Sequence, residues 1–149
     1  MDQLTVRTSP HVRDVDTTAR IMWSVMLALV PAFIASLFVF GWYAGAVTLT
    51  CIVACMITEG VIQALTKTPV TVNDGSAAVT GMLLAFVLPP DVALWVPVVG
   101  AVIAIGLAKH LFGGLGHNIW NPALVGRAVL QLSFPEILNR GAWPIIQSA

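Results

Sequence analysis

Charge is what this sequence has least of. Only 9% of its 149 residues are Asp, Glu, Lys or Arg, seven acidic against seven basic, and the formal net charge is zero. A soluble chain carries about 25% charged residues, so a water-soluble globule of this length would have too few charges to coat it. That excludes a soluble enzyme, a disordered segment and a nucleic-acid binder, and no global field draws in a polyanion. Cysteine is scarce too: Cys51 and Cys55 are the only two, which rules out a disulfide framework. They lie one helical turn apart, and a metal or cluster site normally needs four ligands, so they read as small packing residues. The residues before the first apolar run are polar and include Asp2, Asp14 and Asp16, so they read as neither a cleavable signal nor a transit peptide.

What is abundant is apolar sequence. Hydrophobic residues make up 58% of the chain and fall into long uncharged runs. Ile21 to Gly41 and Trp42 to Thr58 are each close to the roughly 20 residues that a spanning helix needs. Only a turn around Gly41, Trp42 and Tyr43 separates them, which predicts an antiparallel helical pair with aromatic residues at one interface. A third long run, Val92 to Ala108, stops at Lys109. Two shorter runs are unusual: Ser76 to Leu88 is stopped by Pro89-Pro90, and Asn121 to Phe134 opens on Asn-Pro and stops at Pro135. At 1.5 Å per residue each covers roughly 20 Å of a core about 30 Å thick, so they read as half helices. The alternative for the first is a single Pro-kinked helix continuing into the next run.

The expected organisation is an all-α integral membrane bundle. A cytoplasmic segment (1–20) leads into spans at about 21–41, 42–64, 76–91 (a half helix plus an extended segment), 92–109 and 121–134, and an outer-side segment (135–149) follows. Basic residues set the orientation. Arg7, Arg13 and Arg20 precede the first span, Lys67 follows the second and Lys109 the third long run, whereas the Gly41 turn has none. The positive-inside rule then puts the N-terminus, the Thr66–Asn73 loop and the Lys109–Trp120 loop in the cytoplasm, with Arg140 outside.

Few polar residues interrupt the apolar runs. Glu59 ends the second run within a turn of the hydrocarbon, where an acid is costly and reads as functional; the alternative is an interfacial acid reaching cytoplasmic water. Asp74 opens the short helix at Asp74-Gly75-Ser76 and suits an N-cap. A broken helix with its positive end inside a membrane protein also suits an anionic or polar ligand. Arg127, inside the second short helix, must face protein, water or a ligand. Before that helix, Gly113-Gly114-Leu115-Gly116 lets the backbone turn tightly, and Asn121-Pro122 signals a helix start. This stretch matches neither a P-loop nor a dinucleotide fingerprint. His110 and His117 lack a metal partner at helical spacing and read as solvated loop residues.

These residues carry a resemblance. The chain resembles the N-terminal half of the membrane subunit family shared by Rnf-type electron transport complexes (the D subunit) and sodium-pumping NADH:quinone reductases (the B subunit). The motifs are Ser9-Pro10-His11 before Arg20-Ile21-Met22; Asp74-Gly75-Ser76-Ala77 with Thr80-Gly81 and Leu83-Leu84-Ala85, closing at Leu88-Pro89-Pro90; Ala108-Lys109 leading into Phe112-Gly113-Gly114-Leu115-Gly116; and Asn118 with Asn121-Pro122-Ala123-Leu124, closing at Ser133-Phe134-Pro135. Each is short, but they occur in order across nearly the whole chain. Ser-Pro-His and Asp-Gly-Ser-Ala favour the Rnf branch.

The resemblance implies a translocase subunit of the bacterial or archaeal cytoplasmic (inner) membrane, multi-pass, with no catalysis from this chain alone. The complex passes electrons between NADH and ferredoxin, or to quinone, while moving Na⁺ or H⁺, and its other membrane subunits carry flavin and iron–sulfur centres. The implied fold is two inverted repeats, each with a half helix, of which this chain resembles the first. The family attaches FMN covalently to a Thr in a Ser-(Gly/Ala)-Ala-Thr motif; none occurs here, and Thr80 in Ala-Ala-Val-Thr does not match, so that flavin is expected beyond Ala149, on a longer subunit or a separate chain. Glu59 sits where the quinone reductase branch carries an acid implicated in cation uptake, which makes it the candidate for ion coupling. Asp74, Gly75, Ser76, Asn118, Asn121 and Pro122, at the two half-helix starts, and Arg127, inside the second half helix, are the candidate contacts for a flavin, with non-covalent riboflavin as one form. The competing classes are a small-solute channel or permease, and a structural membrane anchor with no cofactor.

Overall fold

The structure is a computed structural model that describes residues 17–68, 71–114 and 116–139. Ser9-Pro10-His11, Arg7, Arg13 and Arg140 lie outside the described residues. Every regular element among the described residues is helical: α1 (Thr18–Phe40), α2 (Trp42–Thr66), a 3₁₀ turn (Val72–Asp74), α3 (Ser76–Val87), α4 (Trp95–Ile103) running on as a π-helical stretch (Ala104–His110), α5 (Pro122–Ser133) and the short α6 (Pro135–Leu138). α1 and α2 are each long and apolar enough to cross a membrane, and the architecture is that of an all-α membrane protein.

α1 starts at Thr18, capped by the Thr17 hydroxyl, which accepts from the Arg20 amide at 3.4 Å. It ends at Gly41, whose φ of 79° lets the chain reverse directly into α2. α1 and α2 therefore form the expected hairpin, and Arg20 and Lys67 fall at the same end of it. α2 runs past the expected boundary to Thr66. Its buried residues, Ala44, Val47, Thr48, Cys51, Cys55, Glu59 and Gln63, form one stripe, the face that returns every three or four residues. That stripe packs on α3. A Cβ on Gly81 of α3 would come within 2.7 Å of the Cys51 carbonyl oxygen and 2.6 Å of the Ile52 Cα, so the two backbones touch as helices do where small residues meet. Cys51 and Cys55 are free and buried in this seam, which bears out their reading as packing residues.

The half helices are present. α3 has 12 residues, about 18 Å, and stops because Pro89 forces Leu88 into the extended region, at φ −93° and ψ 153°. Nothing helical follows until Trp95, so there is no single Pro-kinked helix, and the next span begins three residues later than expected. The non-helical connection reaches the opposite end of α2: the Tyr43 hydroxyl, near the start of that helix, donates to the Val92 carbonyl at 3.2 Å. α5 is the second 12-residue helix. Asn121 caps its start by accepting from the Ala123 amide at 3.0 Å, and it ends where Pro135 displaces Phe134 from helical geometry. Phe134 then meets Trp95 edge to face, with ring centroids 5.2 Å apart. α4 and α5 cross at glycines, since a Cβ on Gly126 would lie 2.8 Å from the Gly100 carbonyl.

Candidate functional site

A polar cluster lies inside this otherwise apolar bundle, where α2, the start of α3 and the π-helical stretch meet. Glu59 is 1% exposed and Lys109 is 2% exposed. The Lys109 ammonium donates to Glu59 Oε1 and to the Ser76 hydroxyl, both at 2.5 Å. Gln63, one turn on from Glu59, also donates to Oε1, at 3.4 Å. Its amide in turn ties down the loop before α3, donating to the Thr71 hydroxyl at 2.8 Å and accepting from the Thr71 amide at 3.0 Å. Glu59 Oε2 is buried with no hydrogen-bond partner, and so is His110 Nε2, which lies 3.8 Å from Oε1. A charge this deep survives only when paired and hydrogen-bonded, and here one carboxylate oxygen is saturated while the other is left open.

Two expectations from the sequence change at this point. Lys109 does not sit in a cytoplasmic loop as a free topological charge. It belongs to the buried stripe Pro97, Ala101, Ile105, Lys109, spaced by four residues, and the hydrocarbon around it makes pairing with Glu59 preferable to exposure. His110 is likewise not a solvated loop histidine but half-buried beside the same acid. Glu59 does not snorkel, because the face of α2 that carries Cys51 and Cys55 carries it into the protein. Among the described residues no group of three or more His, Cys, Asp or Glu is arranged to hold a metal.

Beside the cluster is a cavity of about 350 Å³, lined by Ser76, Thr80, Lys109, Asn118 and Asn121 on the polar side, and by Met22, Val79, Leu83, Ile119, Trp120 and Pro122. The starts of α3 and α5 thus converge on one space. The first N–H groups of a helix lack intrahelical partners and carry partial positive charge, and Lys109 adds a full one. Asn118 keeps a buried side-chain oxygen without a partner. Of the residues expected to contact a ligand, Ser76, Asn118, Asn121 and Pro122 are brought together here.

The other three are not in the lining. Gly75, at φ 78° and packed against the Trp23 ring, is the residue that caps α3, and the Asp74 carboxylate, one position earlier than expected for a cap, accepts from the Ser76 amide at 2.7 Å. Both shape the start of α3 rather than face the cavity. Arg127 is half-buried on α5, away from the cavity, and forms no ion pair among the described residues. Lys109 and Gln63 were missed from sequence. The signal was there: four-residue spacing carries Cys51 and Cys55 on to Glu59 and Gln63, and Ala101 and Ile105 on to Lys109.

Residues 5–147 match the family model described as the NQR2, RnfD, RnfE family. The chain is 52% identical over 140 residues to the D subunit of the Na⁺-translocating ferredoxin:NAD⁺ oxidoreductase complex of Acetobacterium woodii, an alignment covering 94% of this chain and 44% of that one. It is 47% identical over 135 residues to the D subunit of the proton-translocating ferredoxin:NAD⁺ oxidoreductase complex of Clostridium ljungdahlii, covering 91% of this chain and 41% of that one. It is 43% identical over 138 residues to the D subunit of the ion-translocating oxidoreductase complex of Rhodobacter capsulatus, covering 91% and 38%. The chain thus spans less than half the length of these relatives. Order and chemistry of the motifs agree with the match along nearly all of its length, and the chain belongs to the NQR2, RnfD, RnfE family.

Proposed function

We propose that this chain is a membrane part of an ion-translocating, flavin-dependent ferredoxin:NAD⁺ oxidoreductase, in which Glu59 takes up the transported cation and the neighbouring cavity holds a flavin. It would sit multi-pass in a bacterial or archaeal cytoplasmic (inner) membrane with its N-terminus in the cytoplasm, among other membrane subunits that bear flavin and iron–sulfur centres. The observation that carries the reading is the buried Glu59 carboxylate, paired through one oxygen and open at the other. An intramembrane acid marks an ion pathway, and an open carboxylate oxygen is the kind of ligand that a hard cation or a proton takes. The named activities of the relatives, one Na⁺-translocating and one proton-translocating, support the class and leave the ion open.

The cavity suits a flavin in size and lining. Its volume of about 350 Å³ lies in the range of roughly 300–1,000 Å³ usual for small-molecule sites. Trp120, Met22 and Leu83 offer apolar surface for a ring system, and Ser76, Asn118, Asn121 and Lys109 offer polar groups for its edge. The unpartnered Asn118 oxygen is satisfied by a ring N–H. A flavin bound there supplies one- and two-electron chemistry, while the protein sets its position and electrostatics. Covalent FMN is assigned to no residue of this chain, and Thr80 is spoken for: its hydroxyl donates to the Ser76 carbonyl at 2.9 Å inside α3.

The test is Glu59→Gln in the intact complex. Electron transfer without coupled ion uptake supports the assignment, and uptake that stays coupled and unchanged removes it. For the cofactor, this subunit is separated from the complex and its visible spectrum read before and after denaturation. Flavin released from it is the expected result; a colourless subunit ends the flavin reading.

A further inference from the structure

Among the described residues, Lys109 alone both bonds Glu59 and lines the cavity. Its ammonium bonds Glu59 on one side and the Ser76 hydroxyl on the other, and it lines the cavity that Glu59 does not reach. It is carried on a π-helical stretch, Ala104–His110, closed by bonds of longer reach such as Leu111 N–H to the Gly106 carbonyl at 3.1 Å and Gly114 N–H to the Lys109 carbonyl at 2.9 Å. Such segments are rare and cluster at functional positions, and three glycines at positive φ, Gly113, Gly114 and Gly116, follow it.

We propose that Lys109 is a shared counter-charge: neutralising Glu59 releases the ammonium toward the cavity, so that cation uptake at Glu59 and stabilisation of negative charge in the cavity favour each other. This rests on the reading of Glu59 as the cation site and of the cavity as the flavin site. Lys109 keeps its charge throughout and only changes partner. With Glu59 free, its carboxylate holds the ammonium and little positive potential reaches the ligand. With a cation on Glu59, the ammonium has Ser76 and the cavity ligand left, and the reduced, anionic form of the flavin gains a partner. Linkage is reciprocal, so negative charge in the cavity strengthens cation binding by the same factor, of about 5–150-fold for ordinary coupled sites. Lys109 is a positioning residue for both ligands and touches the cation in neither state.

The experiment is a double-mutant cycle on the assembled complex, reading the midpoint potential of the flavin held by this subunit in the wild type, Glu59→Gln, Lys109→Gln and the double variant. Glu59→Gln is expected to raise the potential, because the amide releases the ammonium, Lys109→Gln to lower it, and Glu59→Gln to have no effect once Lys109 is gone. An equal shift from Glu59→Gln in both backgrounds overturns the proposal, since it means that Glu59 acts through space and not through Lys109. A second measurement does not need the Lys109→Gln variant to assemble: electron cryo-microscopy of the Glu59→Gln complex. The Lys109 ammonium displaced toward the cavity supports the proposal, and an ammonium still seated at position 59 overturns it. A wild-type subunit that carries no flavin fails the reading beneath the proposal, and that outcome is distinct from flavin present with additive shifts, which fails the proposal alone.

Discussion

Helices α1 and α3 are both strongly apolar, yet they occupy opposite environments. None of the 23 residues of α1 is buried, and Leu27 and Phe38 are 70% and 86% exposed. In α3, nine of 12 residues are buried, from Ser76 to Ala85. Hydropathy does not separate them, because lipid and protein interior are equally apolar to a Leu. Size does: α1 presents Trp, Phe, Leu and Ile around its circumference, whereas half of α3 is Ser, Ala, Thr or Gly, and small side chains let α1, α2, α4 and α5 all close on it. The same contrast separates the ionisable groups. Arg20 lies at an exposed helix end, while Lys109, on the buried face of its helix, is committed to Glu59.

The largest break in this contrast comes from the polar cluster at the start of α3. Lys109→Met leaves a buried carboxylate without a counter-charge and is expected to cost about 3–5 kcal/mol, visible as a lowered Tm in detergent. Adding Glu59→Leu to it should recover most of the loss, since a buried pair replaced by apolar residues is often neutral in stability; a double variant as unstable as the single one would mean that the pair does more than cancel itself.

Gly81→Ala comes next. Its Cβ would lie 2.6 Å from the Ile52 Cα, against backbone that cannot yield like a side chain, and overpacking of this kind costs about 1–3 kcal/mol. Thermal unfolding in detergent measures it, and an unchanged Tm would show that α2 and α3 can separate freely. Gly75→Ala is smaller. At φ 78° a Cβ costs about 1–2 kcal/mol, and the loss should appear as fraying of the α3 start in amide exchange before it shows in Tm. The smallest effect belongs to α1: Phe38→Ala should change stability by less than about 0.5 kcal/mol, as for exposed positions generally. A larger effect confined to the assembled complex would sharpen the comparison by showing that this face of α1 meets another protein chain rather than lipid.

Much of this was legible in the residues. Pro89-Pro90 and Pro135 marked both half-helix ends, because a proline excludes helical geometry from the residue before it. Asn121-Pro122 marked the start of α5, and the Gly41 turn marked the hairpin. Glu59 stood out through the cost of an acid at that depth. Lys109 did not, because it ends an apolar run just as a topological charge does; only its spacing of four from Ile105 said otherwise, and that spacing is blurred where the helix loosens into π geometry. Asp74 and Gly75 looked like cavity residues because they sit at a helix start, and Arg127 because a guanidinium inside a half helix needs protein, water or a ligand to face, yet position in sequence does not decide which side of a helix faces the cavity.

The sequence by itself determined the membrane setting, the long and half helices and the breaks between them, since these follow from local apolar length and from backbone restrictions at proline and glycine. Tertiary structure alone decided that Glu59 and Lys109, 50 residues apart, neutralise each other, and that the starts of α3 and α5 open onto one cavity. The reason is physical: an isolated charge in hydrocarbon has no favourable state, so its role is set by whichever partner the packing of Gly81, Gly100 and Gly126 brings within reach.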